Sequence, residues 1–203
     1  MKIAIADYGM GNVKSIFSTL KYLGVSDIVL TDNFDELYKA DKIILPGVGS
    51  FAKAMKHIKE KKIDQYLSEI VLKDKKPLLG ICLGMQLLGK SSTEDVNSTG
   101  LGFVDAKCIK FESKNLKIPH VGFNQVQISN RLMLYDGLNN GADFYFTHSY
   151  KMISDGDINQ NYCDYGGKFV ASFEINNIAG VQFHPELSQN NGLKLLKNFI
   201  EKF

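Results

Sequence analysis

Apolar and polar positions along the first half of the chain switch between two periods. Residues 2–6 contain the apolar run Ile3-Ala4-Ile5-Ala6, the pattern of a short buried strand. Val13, Ile16, Phe17, Leu20 and Leu23 then recur at helical spacing, and Gly24 closes that segment. Strands are predicted again at 28–30 and 42–45. Ser50 is placed to cap a helix carrying Phe51, Met55 and Ile58 on one face, and a further helix at 64–72 leads into the apolar run Leu78-Leu79-Gly80-Ile81. This alternation of β and α predicts a parallel, doubly wound sheet.

After Leu88 the texture changes. Residues 91–100 are polar and loop-like, and short β segments follow at 102–104, 106–111, 125–128, 143–146, 169–173 and 178–183. The last segment carries Leu193, Leu196, Phe199 and Ile200 on one side of a helix. The expected fold is therefore α/β: a mostly parallel central sheet flanked by helices, with added antiparallel strands in the second half. No repeat, linker or low-complexity tract divides residues 1–203, so one domain is expected.

Composition narrows the function classes. A 44% hydrophobic content and a formal charge of +2 give no electrostatic case for nucleic acid, and the lysines at 56–62 and 73–76 read as solvated faces. The three cysteines, Cys82, Cys108 and Cys163, lie far apart without C-x-x-C spacing, which suggests neither a zinc cluster nor a disulfide framework and fits a reducing cytoplasm. The opening residues are too short for a signal segment, and no apolar stretch is long enough for a bilayer, so neither export nor membrane insertion is expected. Tyr8-Gly9-Met10-Gly11-Asn12 invites a dinucleotide reading, but the third glycine of that fingerprint would fall at Lys14. It reads instead as a tight βα turn, or as a loop at the sheet's carboxyl rim that touches a ligand or partner. No metal and no cofactor are expected.

Chemistry concentrates at Gly80-Ile81-Cys82-Leu83-Gly84-Met85-Gln86. A buried strand breaks at Gly80, presents Cys82 and passes through Gly84 into a helix, the pattern of a nucleophile elbow in which a strained residue needs neighbours without side chains. The helix aims free N–H groups and its positive end at the sulfur, which favours the thiolate and a developing oxyanion. A buried structural cysteine fits the same motif, which by itself does not separate the two readings. Pro46-Gly47-Val48-Gly49-Ser50 ends a strand with glycines that let backbone N–H groups approach a ligand, or it is a plain turn. His57, in the Lys-rich helix, reads as exposed and without a role.

A cysteine nucleophile needs a base, and the base needs a group that orients it. Gln182-Phe183-His184-Pro185-Glu186 supplies both in His184 and Glu186, whose spacing puts them on one side of an extended segment that Pro185 keeps out of helix. His120 and His148 compete for the role of base, and sequence distance does not choose among the three.

The elbow together with His184-Pro185-Glu186 resembles the class I glutamine amidotransferases. Further segments narrow the resemblance to the glutaminase subunits of imidazole glycerol phosphate synthases: residues 7–12, 46–51 and 100–102, Pro119-His120-Val121-Gly122-Phe123-Asn124, and Phe144-Tyr145-Phe146-Thr147-His148-Ser149-Tyr150. The resemblance implies a Cys82-His184-Glu186 triad that hydrolyses the side-chain amide of L-glutamine, with the Leu83 amide and the Gly47, Val48 and Gly49 loop stabilising the oxyanion. It implies that Gln86, Glu94 and the segment His148-Ser149-Tyr150 hold the glutamine α-groups, with Asp95 an alternative to Glu94. It further implies a heterodimer with a HisF-type (β/α)8 cyclase, contacted by Asn12, Phe123, Tyr145 and Leu187, to which ammonia passes for imidazole glycerol phosphate formation.

Two positions depart from the pattern. The family usually has tryptophan where this chain has Phe123, and lysine where it has Leu187. The triad is intact while the docking surface has changed, which leaves open a second acceptor: a nucleotide sugar amidated by a HisF-like synthase in surface polysaccharide biosynthesis.

Overall fold

The computed structural model describes residues 1–94, 97–112, 116–128 and 132–203. Its strands are β1 (Lys2–Ala6), β2 (Asp27–Thr31), β3 (Lys42–Leu45), β4 (Leu78–Ile81), β5 (Ser91–Ser92), β6 (Ser98–Thr99), β7 (Lys107–Lys110), β8 (His120–Val126), β9 (Ala142–His148), β10 (Tyr150–Ile153), β11 (Gln160–Asp164), β12 (Lys168–Ile175) and β13 (Ile178–Val181). The helices are α1 (Val13–Tyr22), α2 (Phe34–Lys39), α3 (Phe51–Glu60), α4 (Ile63–Leu67), α5 (Leu83–Leu87) and α6 (Gln189–Glu201).

Among the described residues the main sheet runs β2-β1-β3-β4-β13-β12-β10-β7-β5-β6, with β11 beside β12. Neighbours from β2 to β13 pair in parallel, whereas β13/β12, β12/β10 and β10/β7 are antiparallel. Strands β8 and β9 form a separate antiparallel hairpin in register from His120↔His148 to Val126↔Ala142. Period-2 alternation divides each central strand between two cores. Ala4, Ile43, Leu45 and Leu78 join Leu37 of α2, Phe51 and Ile58 of α3 and Met85 of α5 on one face. Ile3, Ile5, Ile44 and Leu79 join Ile16 and Leu20 of α1 and Leu195 and Phe199 of α6 on the other. Both faces are covered, as a parallel sheet requires. Among the described residues no helix is long and apolar enough to cross a membrane.

Several predicted elements differ. The helix expected at 64–72 is α4 followed by a π-helical turn, Ser68–Lys73. The strand expected at 102–104 is a turn: Phe103 N and Val104 N both donate to Leu88 O, and Gly102 N to Gly89 O, so these amides fold onto the end of α5 and no ladder forms. The polar segment 91–100 contributes the two short strands β5 and β6. The strand expected at 125–128 begins at His120, because β9 pairs with it along its whole length.

Candidate active site

Strands β3, β4 and β13 end side by side, and the cavity opens where the chain leaves their carboxyl ends. Cys82 follows β4, extends the ladder by donating its N–H to Val181 O at 2.8 Å, and has φ 53° and ψ −111° before α5 begins. Such backbone costs about 1–3 kcal/mol and persists only where the surroundings fix it. Here they do: a Cβ on Gly84 would stand 1.8 Å from Leu45 O, and one on Gly80 2.8 Å from Met85 Cα. Both glycines are therefore demanded by close approach, and the elbow read from the sequence is present. The leading amides of α5, that of Leu83 first, have no intrahelical acceptor.

His184 follows β13. Its backbone N–H donates to Tyr145 O at 2.9 Å, and Ser188 Oγ donates to its carbonyl at 2.6 Å, so the ring is held from both sides of its peptide. His184 Nδ1 pairs with Glu186 Oε1 at 2.8 Å, with both side chains almost wholly buried. The segment is not extended throughout, as the spacing predicted: Pro185 opens a 3-10 turn, Pro185–Leu187, and the turn swings Glu186 back under the ring. Proline's fixed φ suits that first position. Burial opposes the charged imidazole, but hydrogen bonding and charge from Cys82 and from Glu186 outweigh it and raise the ring to about 10. With Nδ1 taken by Glu186, Nε2 is the nitrogen that faces Cys82 and is left for proton transfer.

The cavity has a volume of about 390 Å³ and is lined by Val48, Gly49, Cys82, Leu83, Gln86, Glu94, Pro119, Thr147, His148, Ser149, Tyr150 and His184. Of the residues singled out in the sequence for chemistry, Gly47 and Glu186 lie just behind this lining. Gly47 packs against Leu83 and Gly84, and Glu186 sits behind His184. Tyr8 Oη donates to Pro46 O at 2.6 Å and pins the start of the loop. Glu94 accepts the N–H of Phe51 at 2.8 Å, while the alternative Asp95 lies outside the described residues. Among the described residues no group of three His, Cys, Asp or Glu side chains is placed to hold a metal ion.

The competing histidines face each other. His120 Nδ1 lies 3.1 Å from His148 Nε2, and His148 Nδ1 lies 2.8 Å from Tyr150 O. A carbonyl only accepts, so His148 carries its proton on Nδ1 and receives the Nδ1 proton of His120 on Nε2. Burial pushes His120 down to about 4 and His148 down to about 3. Both are neutral packing groups, with His120 stacked 3.9 Å from the ring of Tyr165. His57 is not idle: half-buried, its Nδ1 lies 3.1 Å from Tyr8 O. Cys108 and Cys163 are buried in β7 and β11, and burial pushes both thiols up, that of Cys163 to about 12.

Gln182, which no motif in the sequence marks for chemistry, is fully buried beside the sulfur with Nε2 3.8 Å from Cys82 Sγ. The period-2 spacing that linked His184 to Glu186 also links Gln182 to His184, and that was the available signal. On the outer face, Phe123 is 49% exposed and meets Tyr145 with ring centroids 5.6 Å apart, and Leu187 is 40% exposed. Asn12 is half-buried at the start of α1, which packs beside the 3-10 turn carrying Leu187.

Residues 4–203 match the family model described as glutamine amidotransferase class-I. "Imidazole glycerol phosphate synthase subunit HisH 1" of Campylobacter jejuni (strain RM1221) is 47% identical over 199 residues, 98% of each chain. "Imidazole glycerol phosphate synthase subunit HisH 2" of Methanococcus maripaludis is 46% identical across 98% of this chain and 99% of its own. The subunit named HisH of Aquifex aeolicus (strain VF5) is 39% identical over all of this chain and 97% of its own. Among solved structures, one titled PurLQS from Thermotoga maritima aligns with a TM-score of 0.76 at 17% identity, covering 98% of this chain and 97% of that one. One titled glutamine amidotransferase aligns at 0.75 and 17% identity, covering 99% and 98%. At such identities the structural likeness speaks to the fold, whereas the full-length sequence relatives carry the family. The chain belongs to the class I glutamine amidotransferases, in the branch whose curated members are named as HisH subunits of imidazole glycerol phosphate synthase.

Proposed function

We propose that residues 1–203 act as one cytoplasmic glutaminase unit, the subunit of an imidazole glycerol phosphate synthase that frees ammonia from L-glutamine for histidine biosynthesis. The observation that carries this reading is a single cavity shared by a strained cysteine and a buried histidine whose far nitrogen is held by a carboxylate at 2.8 Å. Cys82 thiolate attacks the side-chain carboxamide carbon, forming the C–S bond, and the oxygen gathers charge beside the Leu83 amide and the loop of Gly47, Val48 and Gly49. The C–N bond breaks as His184 Nε2 gives its proton to the departing ammonia. The same nitrogen then takes a proton from the water that adds to the glutamyl thioester, and the C–S bond breaks to release glutamate and restore the Cys82 thiolate. Glu186 keeps the ring in the tautomer and orientation that both steps need. Glu94 and Gln86 receive the substrate's ammonium, and the Ser149–Tyr150 backbone its carboxylate.

The partner in this reading is a HisF-type (β/α)8 cyclase seated over Asn12, Phe123, Tyr145 and Leu187. Tyr8 holds the Pro46 carbonyl, so reorientation of the loop toward the oxyanion falls on Val48 and Gly49, both exposed at the rim. Weak glutaminase activity of the isolated chain, strongly stimulated by the partner with its own ligand bound, is the expected behaviour. Glutamate release by the complex, and its loss in Cys82→Ala, tests the function; release that survives Cys82→Ala contradicts it. The two departures at the exposed Phe123 and Leu187 favour one second reading, in which the same glutaminase feeds a HisF-like synthase that amidates a nucleotide sugar.

A further inference from the structure

The glutaminase reading gives no part to Gln182, yet this polar side chain is fully buried with its amide 3.8 Å from the reacting sulfur. Its orientation follows from a chain of hydrogen bonds that starts at a group unable to donate. Tyr150 O accepts Gln86 Nε2 at 2.9 Å, which fixes which end of the Gln86 carboxamide faces the backbone. The second proton of the same nitrogen goes to Gln182 Oε1 at 2.9 Å, so Gln182 must turn its oxygen toward Gln86. Its Nε2 then faces Cys82 Sγ at 3.8 Å and can only donate there. Thr147 O, an acceptor, lies 3.9 Å from the same sulfur. The neutral thiol has Thr147 O as an acceptor, and once its proton has passed to His184 the thiolate accepts from Gln182.

Resting on the glutaminase reading, we propose that Gln182 is a further catalytic residue, whose side-chain amide stabilises the Cys82 thiolate and whose oxygen sets the orientation of Gln86. The second consequence concerns specificity. With both Gln86 protons engaged, by Tyr150 and by Gln182, the side-chain oxygen is an acceptor only, so Gln86 welcomes the ammonium of a free α-amino acid and its side chain has no donor for a carboxylate. One buried amide thus ties the nucleophile to the selection of a free amino acid as substrate.

The test uses the full chain with its cyclase partner. Gln182→Met keeps the side chain's length and removes the donor; Gln182→Glu keeps an acceptor for Gln86 and puts a charge beside the sulfur. The pH at which iodoacetamide alkylation of Cys82 reaches half its maximal rate should rise by about one to two pH units in Gln182→Met, the size of a hydrogen bond to a charged group. It should rise further in Gln182→Glu. Glutaminase kcat/KM should fall about 10- to 100-fold in Gln182→Met, with KM rising as Gln86 loses its acceptor partner. A folded Gln182→Met protein with an unchanged alkylation profile overturns the proposal. A measurement on the unmutated chain guards against misfolded variants: with selective glutamine 15N labelling, the Gln182 side-chain amide resonances should move as Cys82 is titrated, and stay still in Cys82→Ser. Resonances that ignore the thiol's titration also overturn it. If the unmutated complex hydrolyses glutamine while Gln182→Met matches it, this inference falls and the glutaminase reading stands. If the unmutated complex hydrolyses none, the glutaminase reading falls whatever the alkylation profiles show.

Discussion

The carboxylate of Glu94 accepts the backbone N–H of Phe51 at 2.8 Å, which joins one wall of the cavity to the first turn of α3 just beyond the loop at 46–50. The group proposed to receive the substrate's ammonium therefore also satisfies an amide that the helix leaves unpaired. Glu94→Gln keeps an accepting oxygen and loses the charge. KM for glutamine should rise about 10- to 100-fold with a smaller change in kcat, since a hydrogen bond to a charged group is commonly worth about 1.5–3 kcal/mol. Steady-state kinetics of the complex decide this, and an unchanged KM would move the ammonium site elsewhere.

His184 and Glu186 should fail unequally. His184→Asn removes the group that carries protons in both steps, and glutaminase rates should fall by at least about 10²–10⁴-fold. Glu186→Gln acts only through the ring and should leave a measurable rate. Rates of both variants beside the unmutated complex are the check. Small and equal losses would return the role of base to His120 or His148.

Stability should decline at both ends of the pH range for different residues. The buried His120 and His148 are held below the ordinary histidine value, so the unfolded chain binds more protons as pH falls from about 6.5 toward 3–4, and stability is lost there. His184 is held above its ordinary value at about 10, so its contribution is complete below about 6.5 and is lost as pH rises through about 10. Urea midpoints between pH 4 and 10 should peak near neutrality. His120→Asn should flatten the acid limb and Glu186→Gln the alkaline one; limbs unchanged in both variants would assign the pH response to other groups.

The elbow was legible in the sequence because its constraint is local: Gly80 and Gly84 announce a turn that no side chain could share. Strands β1 to β4 and helices α1 and α3 were legible for the same reason, each set by its own period, whereas the six-residue α2 was too short to show one. Contacts made by distant segments were not. Strand β10 is only four residues long and β11 is mostly polar, so neither stands out, and they exist because β7 and β12 offer partners. His184 and Glu186 were found by spacing, but the 3-10 turn that brings Glu186 to Nδ1 is a property of the packed chain. The pairing of His120 with His148 comes from the β8–β9 register, and the position of Gln182 beside the sulfur from the parallel alignment of β4 with β13. Neither can be read from separation along the chain.

Partner choice should be written at Phe123 and Leu187, both exposed beyond the cavity. Interface aromatics and charges often carry disproportionate energy, so Phe123→Trp with Leu187→Lys should strengthen binding to a histidine-pathway cyclase by about 1–4 kcal/mol if that cyclase is built for the usual residues. Calorimetric affinities for the cyclase and for a HisF-like sugar synthase of the same genome decide between the two acceptors. Tight binding to the cyclase that neither substitution alters would show that the two departures leave the docking surface unchanged.

The central claim is that Cys82 is the nucleophile for glutamine. Its most direct measurement is to treat the chain, alone and with its partner, with an electrophilic glutamine analogue and locate the adduct by mass spectrometry. Cys82 lines the cavity at the head of α5, whereas burial keeps the thiols of Cys108 and Cys163 protonated and out of reach. The account predicts one adduct, on Cys82, formed faster with the partner present and blocked by excess glutamine. An adduct on Cys108 or Cys163 with Cys82 untouched, or labelling that glutamine does not slow, would contradict it.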